Sequence, residues 1–122
     1  MKDIEVVHTT ELRKGGLTRG IARKEAFALE WLSVGRSRIP AGVASGWHHH
    51  AKRDVYGYLV AGRLRLEYGP QGREAVEVRP GDFFHIPVGL IHRDVNPSRR
   101  SDAFVVNVLL GEGPTVVNVE DP

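Results

Sequence analysis

The chain has 122 residues, 41% of them hydrophobic, with 17 Lys and Arg against 15 Asp and Glu, a formal net charge of +2 and no cysteine. That length accommodates one domain around one core and not two; the scattered, nearly balanced charge does not imply a nucleic-acid surface, and the absence of cysteine excludes disulfides, thiolate metal sites and thiol nucleophiles. Met1-Lys2-Asp3-Ile4-Glu5 lacks the apolar stretch of a secretory signal, and no run approaches the roughly 18 apolar residues that a membrane helix needs, so a cytoplasmic protein with no membrane partner is expected.

Fourteen glycines and seven prolines interrupt the sequence at short intervals and leave little room for long helices. The stretch 22–30, Ala-Arg-Lys-Glu-Ala-Phe-Ala-Leu-Glu, is the one place where a helical turn or two is expected. Leu32 to Ile39 reads as a strand that ends at the turn Pro40-Ala41-Gly42. Arg36 and Arg38 alternate along it and are read as a solvated face. Val55 to Gly62 is apolar and aromatic throughout, as in a deeply buried strand, whereas Leu64-Arg65-Leu66-Glu67-Tyr68 alternates, as in a strand with one wet face. Gly62-Arg63 is expected to join these two as a tight hairpin, and Gly69-Pro70-Gln71-Gly72 to turn the chain into Ala75–Val78. Asp82 to Pro87 and Ile91 to Val95 follow as short strands separated by the Val88-Gly89 turn. Phe104 to Leu110 is the most hydrophobic stretch and is expected to be a central strand. Many short strands at this spacing indicate a sandwich or a barrel.

Chemistry concentrates in the histidines. His48, His49 and His50 are consecutive, and residues two apart on a strand share a face, so His48 and His50 can converge on one ion while His49 points away. His92 follows Pro87-Val88-Gly89, a turn that lets a second strand return beside the first, and is the natural third ligand. Imidazole suits zinc, copper, iron, nickel or manganese better than calcium or magnesium, so one divalent transition metal of that group is expected. Trp47, Tyr56, Tyr58, Phe84 and His85 lie near the metal strands in sequence and are candidates for a pocket wall. Asp82 belongs to a Pro-Gly-Asp turn, and Asp94 is read as structural and outward-facing.

These residues also carry a family pattern. Gly42, five residues, His48, one residue and His50 open the first cupin motif, which ends at Gly62; Gly81, five residues, Pro87, one residue, Gly89, two residues, His92, three residues and Asn96 match the second without a gap. The chain 1–122 therefore resembles a small single-domain cupin with motifs at 42–62 and 81–96. The resemblance implies an all-β, antiparallel double-sheet jelly-roll barrel with a metal in its mouth.

One position departs from the pattern. The family supplies a glutamate three or four residues after the second histidine, and this chain has none between His50 and Gly62. Asp54 takes the three-residue spacing, while counting back from Gly62 puts Val55 in the slot. Either Asp54 is a ligand, or three histidines form a site completed by water or substrate. The resemblance implies a metal site with a small-molecule pocket: an oxygenase-type enzyme, a metal-dependent isomerase, or a non-catalytic module that binds a small organic ligand or a metal. Edge strands of a small barrel invite pairing between copies, so a homodimer is expected, using the N-terminal segment or Val116-Val117-Asn118-Val119.

Overall fold

The computed structural model describes residues 3–122. In chain order its strands are β1 (Arg13–Lys14), β2 (Ala22–Ala28), β3 (Leu32–Ile39), β4 (His48–His49), β5 (Asp54–Ala61), β6 (Leu64–Tyr68), β7 (Glu74–Val78), β8 (Phe83–Ile86), β9 (His92–Val95), β10 (Ala103–Leu110) and β11 (Val117–Asn118). Single 3-10 turns at Thr9–Glu11 and Pro70–Gly72 are the only helical pieces among the described residues, and none is long and apolar enough to cross a membrane.

The strands form two antiparallel sheets, β1-β2-β3-β10-β5-β8 and β11-β4-β9-β6-β7. β10 occupies the middle of the larger sheet, as its hydrophobicity implies, paired along its length with β3 and β5. Alternation along the strands turns Ile39, Val55, Leu59, Leu64, Leu66, Ala103 and Val105 inward, where they meet in one core. Asn96, the last residue of the second motif, is fully buried: its amide donates to the carbonyls of Ile39 and Ser101, and its Oδ1 accepts from the Ser98 N–H. It thus fixes the turn after β9 to the end of β3.

Two expectations are corrected. Residues 22–28 form β2, not a helix: Ala, Arg, Lys and Glu favour helix intrinsically, but pairing with β3 decides the outcome. Gly62-Arg63 is not a hairpin within one sheet; it carries the chain from β5 in the larger sheet to β6 in the smaller. Gly62 has φ of +87°, and a Cβ there would lie 2.3 Å from the Asp102 carbonyl oxygen, so the crossing requires glycine. The valine-rich tail supplies β11, with Val117 opposite His49 and Asn118 opposite His48, and ends the smaller sheet.

Candidate metal centre

His48 and His92 face each other across the β4–β9 pair, and His50 follows directly on β4. All three side chains are buried, with ring centroids 4.3 Å (His48–His92), 5.1 Å (His50–His92) and 5.3 Å (His48–His50) apart. One ligand atom from each lies within 4.8 Å of the others.

The backbone fixes which atom that is. The Nδ1–H of His48 donates to the Gly46 carbonyl at 2.9 Å, that of His50 to Thr115 at 2.8 Å and that of His92 to Leu90 at 2.9 Å. With each ring's proton committed to Nδ1, each Nε2 carries a free lone pair. Burial favours the same neutral form. Desolvation, then the neighbouring His92 and Arg23, push His48 down to about 3. Desolvation and His92 push His50 to about 3 as well. His92 is also lowered, by desolvation against the opposing pull of Asp94. His92 Nε2 is buried with no hydrogen-bond partner. Three neutral imidazoles, oriented by bonds from their far nitrogens and presenting unpartnered lone pairs to one point, match the donor set of a transition metal.

His49 faces away, its Nδ1 accepting from the Ala51 N–H. Asp54 does not join the three histidines. Ala51 has φ of +53°, and the Arg53 N–H returns to the His50 carbonyl, so residues 51–53 turn and reset the strand alternation. Asp54 therefore emerges on the outside, where its Oδ1 accepts from His85 Nε2 at 2.7 Å.

Of the aromatic pocket candidates, Phe84 lines the cavity beside the histidines. Gly57 makes room for it, since a Cβ at Gly57 would lie 2.1 Å from the Phe84 ring. The others stand elsewhere. Tyr56 stacks on His85 at 4.7 Å and Tyr58 leans on Phe83, on the outer face of the larger sheet. Trp47 lies under the Arg93 guanidinium at 4.6 Å, outside the smaller sheet. On a strand with one face inward, every second aromatic is necessarily outside. Arg38 pairs with Asp102 in solvent, and Asp82 holds its own turn through the Arg79 N–H.

Charged residues line the cavity as well: Arg23, Lys24, Glu25, Arg36 and Asp94. Arg23, on the segment expected to be helical, lines the cavity. Its Nη1 donates to Thr18 Oγ1 at 2.6 Å and to the Gly16 carbonyl, and Thr18 donates in turn to Asn118 on β11. Burial lowers its pKa, and the charge of Asp94 raises it. Asp94 lines the same cavity, so the outward, structural role expected for it is corrected. Its position two residues after His92 was the available signal, because i and i+2 on a strand share a face. Ser37 and Asn107, joined by a 2.7 Å hydrogen bond, complete the polar wall. The cavity measures about 60 Å³, well below the roughly 300–1,000 Å³ of sites for drug-sized ligands.

The model of the Cupin domain family matches residues 35–109. No curated protein matches the chain. Solved structures similar to it include KdgF from Halomonas sp. (23% identity, 89% of this chain and 96% of that one, TM-score 0.70). An oxalate oxidase in complex with the substrate analogue glycolate is similar at 25% identity, over 83% of this chain and 56% of that one, with a TM-score of 0.68. The polyketide cyclase RemF from Streptomyces resistomycificus is similar at 19% identity, over 96% of this chain and 86% of that one, with a TM-score of 0.75.

Proposed function

The chain belongs to the cupin family, and from that premise we propose that it holds one divalent transition metal on His48, His50 and His92 and acts there on a small organic anion, as an oxidase- or oxygenase-type enzyme. The observation that carries this reading is the convergence of three imidazoles whose Nδ1 protons are all committed to backbone carbonyls. Bound there, such an ion would polarise a substrate oxygen and, where it is redox-active, exchange single electrons.

The chain's own residues set what can enter. Arg23 places a largely desolvated guanidinium against the cavity, where an anion offsets its lost hydration and planar N–H groups match a carboxylate. Ser37 and Asn107 add neutral hydrogen-bonding groups, and Phe84 supplies an apolar wall that limits bulk water. A cavity of about 60 Å³ fits a few heavy atoms, the scale of a short carboxylic acid. The oxalate oxidase bound to glycolate is a similar fold holding a ligand of that class.

Metal analysis of untagged wild type beside His50→Ala, followed by dioxygen uptake with a panel of short hydroxy and dicarboxylic acids, tests this. One equivalent of metal in wild type, loss in His50→Ala and uptake with an acid are expected. Full metal retention by His50→Ala would overturn the site. A site that refills only with zinc and consumes no dioxygen would replace the oxidative reading with a non-redox one. We further propose that two copies associate, because β7 and β11 end the smaller sheet with unpaired outer edges. Light scattering should then give twice 13.5 kDa; a monomer would refute the dimer.

A further inference from the structure

We infer that Asp94 is the fourth protein ligand, a carboxylate supplied by the second motif where the first motif has none; the inference rests on the metal-binding reading above.

The backbone aims Asp94 at the site. On β9 it shares the inward face with His92, and it lies opposite Leu66 of β6. Ser45, itself 1% exposed, clamps it from the other side: the Asp94 N–H donates to Ser45 Oγ at 2.9 Å, and its carbonyl accepts from the Ser45 N–H at 2.8 Å. The strand therefore cannot rotate the carboxylate out without breaking two hydrogen bonds. Oδ1 stands 3.6 Å from His48 Nε2 and 3.8 Å from His92 Nε2. It is buried and has no hydrogen-bond partner, as is true of His92 Nε2.

The chemistry of that contact is decisive. Both imidazoles have spent their protons on backbone carbonyls, so the carboxylate oxygen meets two lone pairs with no hydrogen between them. Acceptors facing acceptors in a buried space are repulsive, and an unsatisfied group of this kind costs about 1–3 kcal/mol or more. A cation among the three atoms converts each repulsion into an attraction. Ligand atoms held about 2.0–2.2 Å from a zinc-like ion stand roughly 3.0–3.5 Å apart when adjacent. Oδ1 is within a few tenths of an ångström of that spacing from His48 and His92, and it must approach His50 further, since it stands outside the 4.8 Å set that the three histidines form. The ligand set becomes three nitrogens and one carboxylate oxygen. Arg23, Ser37 and Asn107 are left to receive substrate on the remaining side.

The test compares wild type, Asp94→Asn, Asp94→Ala and His50→Ala, each stripped and reloaded with cobalt(II), by chelator competition and by the visible spectrum of the bound cobalt. For Asp94→Asn, affinity should fall by about 100-fold or more, beyond the roughly 10–100-fold that loss of an outer partner costs, and the cobalt bands should shift. Asp94→Ala should behave alike, which guards against an amide that disturbs folding. If both Asp94 variants bind cobalt as wild type does, with an unchanged spectrum, while His50→Ala does not bind, Asp94 is no ligand and the three-histidine site stands. If wild type itself binds no metal, both readings fall.

Discussion

The two ends of the barrel are built from the same strands with opposite content. Along β3 the inward positions run from Ile39 through Ser37 and Gly35 to Ser33, and along β10 from Ala103 and Val105 to Asn107. At one end Ile39, Leu59, Leu64 and Ala103 are each 0% exposed and make a dry core. At the other end the same alternation buries three histidines, lines the cavity with Arg23, Ser37 and Asn107, and leaves His92 Nε2 and Asp94 Oδ1 unpartnered. The dry end gains free energy from removing apolar surface from water. The wet end costs free energy in the metal-free protein. A single periodicity thus divides the fold into a half that stabilises and a half that is stabilised.

Acid should act on the wet end, and gives the largest expected effect. The buried histidines titrate far below their ordinary value of 6.5, with His48 and His50 near 3. Between those values the unfolded chain takes up protons that the folded chain refuses, so the favourable contribution is fully present above pH 6.5 and is lost as pH falls through 6.5 toward 3. Each such histidine lowers the folding equilibrium by up to about tenfold per pH unit in that window. Urea unfolding of the chelator-treated protein at pH 7.5 and pH 5 should show this loss. Replacing His48 and His50 by glutamine should flatten the dependence; an unchanged slope would mean that the two rings already accept protons in the folded state.

The dry end should answer to volume instead. Ile39→Ala removes three carbons from a fully enclosed position, and a loss of about 2–5 kcal/mol is expected. Metal content per folded molecule should not change, since the Ile39 side chain lies in the core and does not line the cavity. Metal analysis across the unfolding series would break the separation of the two ends if content fell while the protein remained folded.

What the sequence disclosed follows the same division. Strand alternation and glycine spacing are local, so β3, β5, β6, β8, β9 and β10 could be read within a residue or two, and the motif spacing picked out His48, His50 and His92. Arg23 could not be found that way. Its segment has helical propensity, and only pairing with β3 makes it a strand. Asp94 was within reach, because its parity with His92 was visible, but which face of β9 turns inward depends on β4 and β6 beside it. Thr115 contributes only a backbone carbonyl, 65 residues from His50, and no side-chain pattern records that.

Asp54 marks the smallest expected effect and draws the boundary of the site most closely. Its side chain is 40% exposed and its partner His85 is 43% exposed, so their 2.7 Å contact lies in water. Exposed pairs of this kind contribute about 0–1 kcal/mol, and Asp54→Ala should lower stability by no more than that. Metal content should be that of wild type, because the turn at residues 51–53 has already set the Asp54 side chain on the outer face of β5. The same substitution at a ligand would empty the site at equal chelator strength. Loss of metal from Asp54→Ala would therefore require the 51–53 turn to rearrange around the ion and swing Asp54 inward. That would give the first motif back its carboxylate and remove the reason for assigning the role to Asp94.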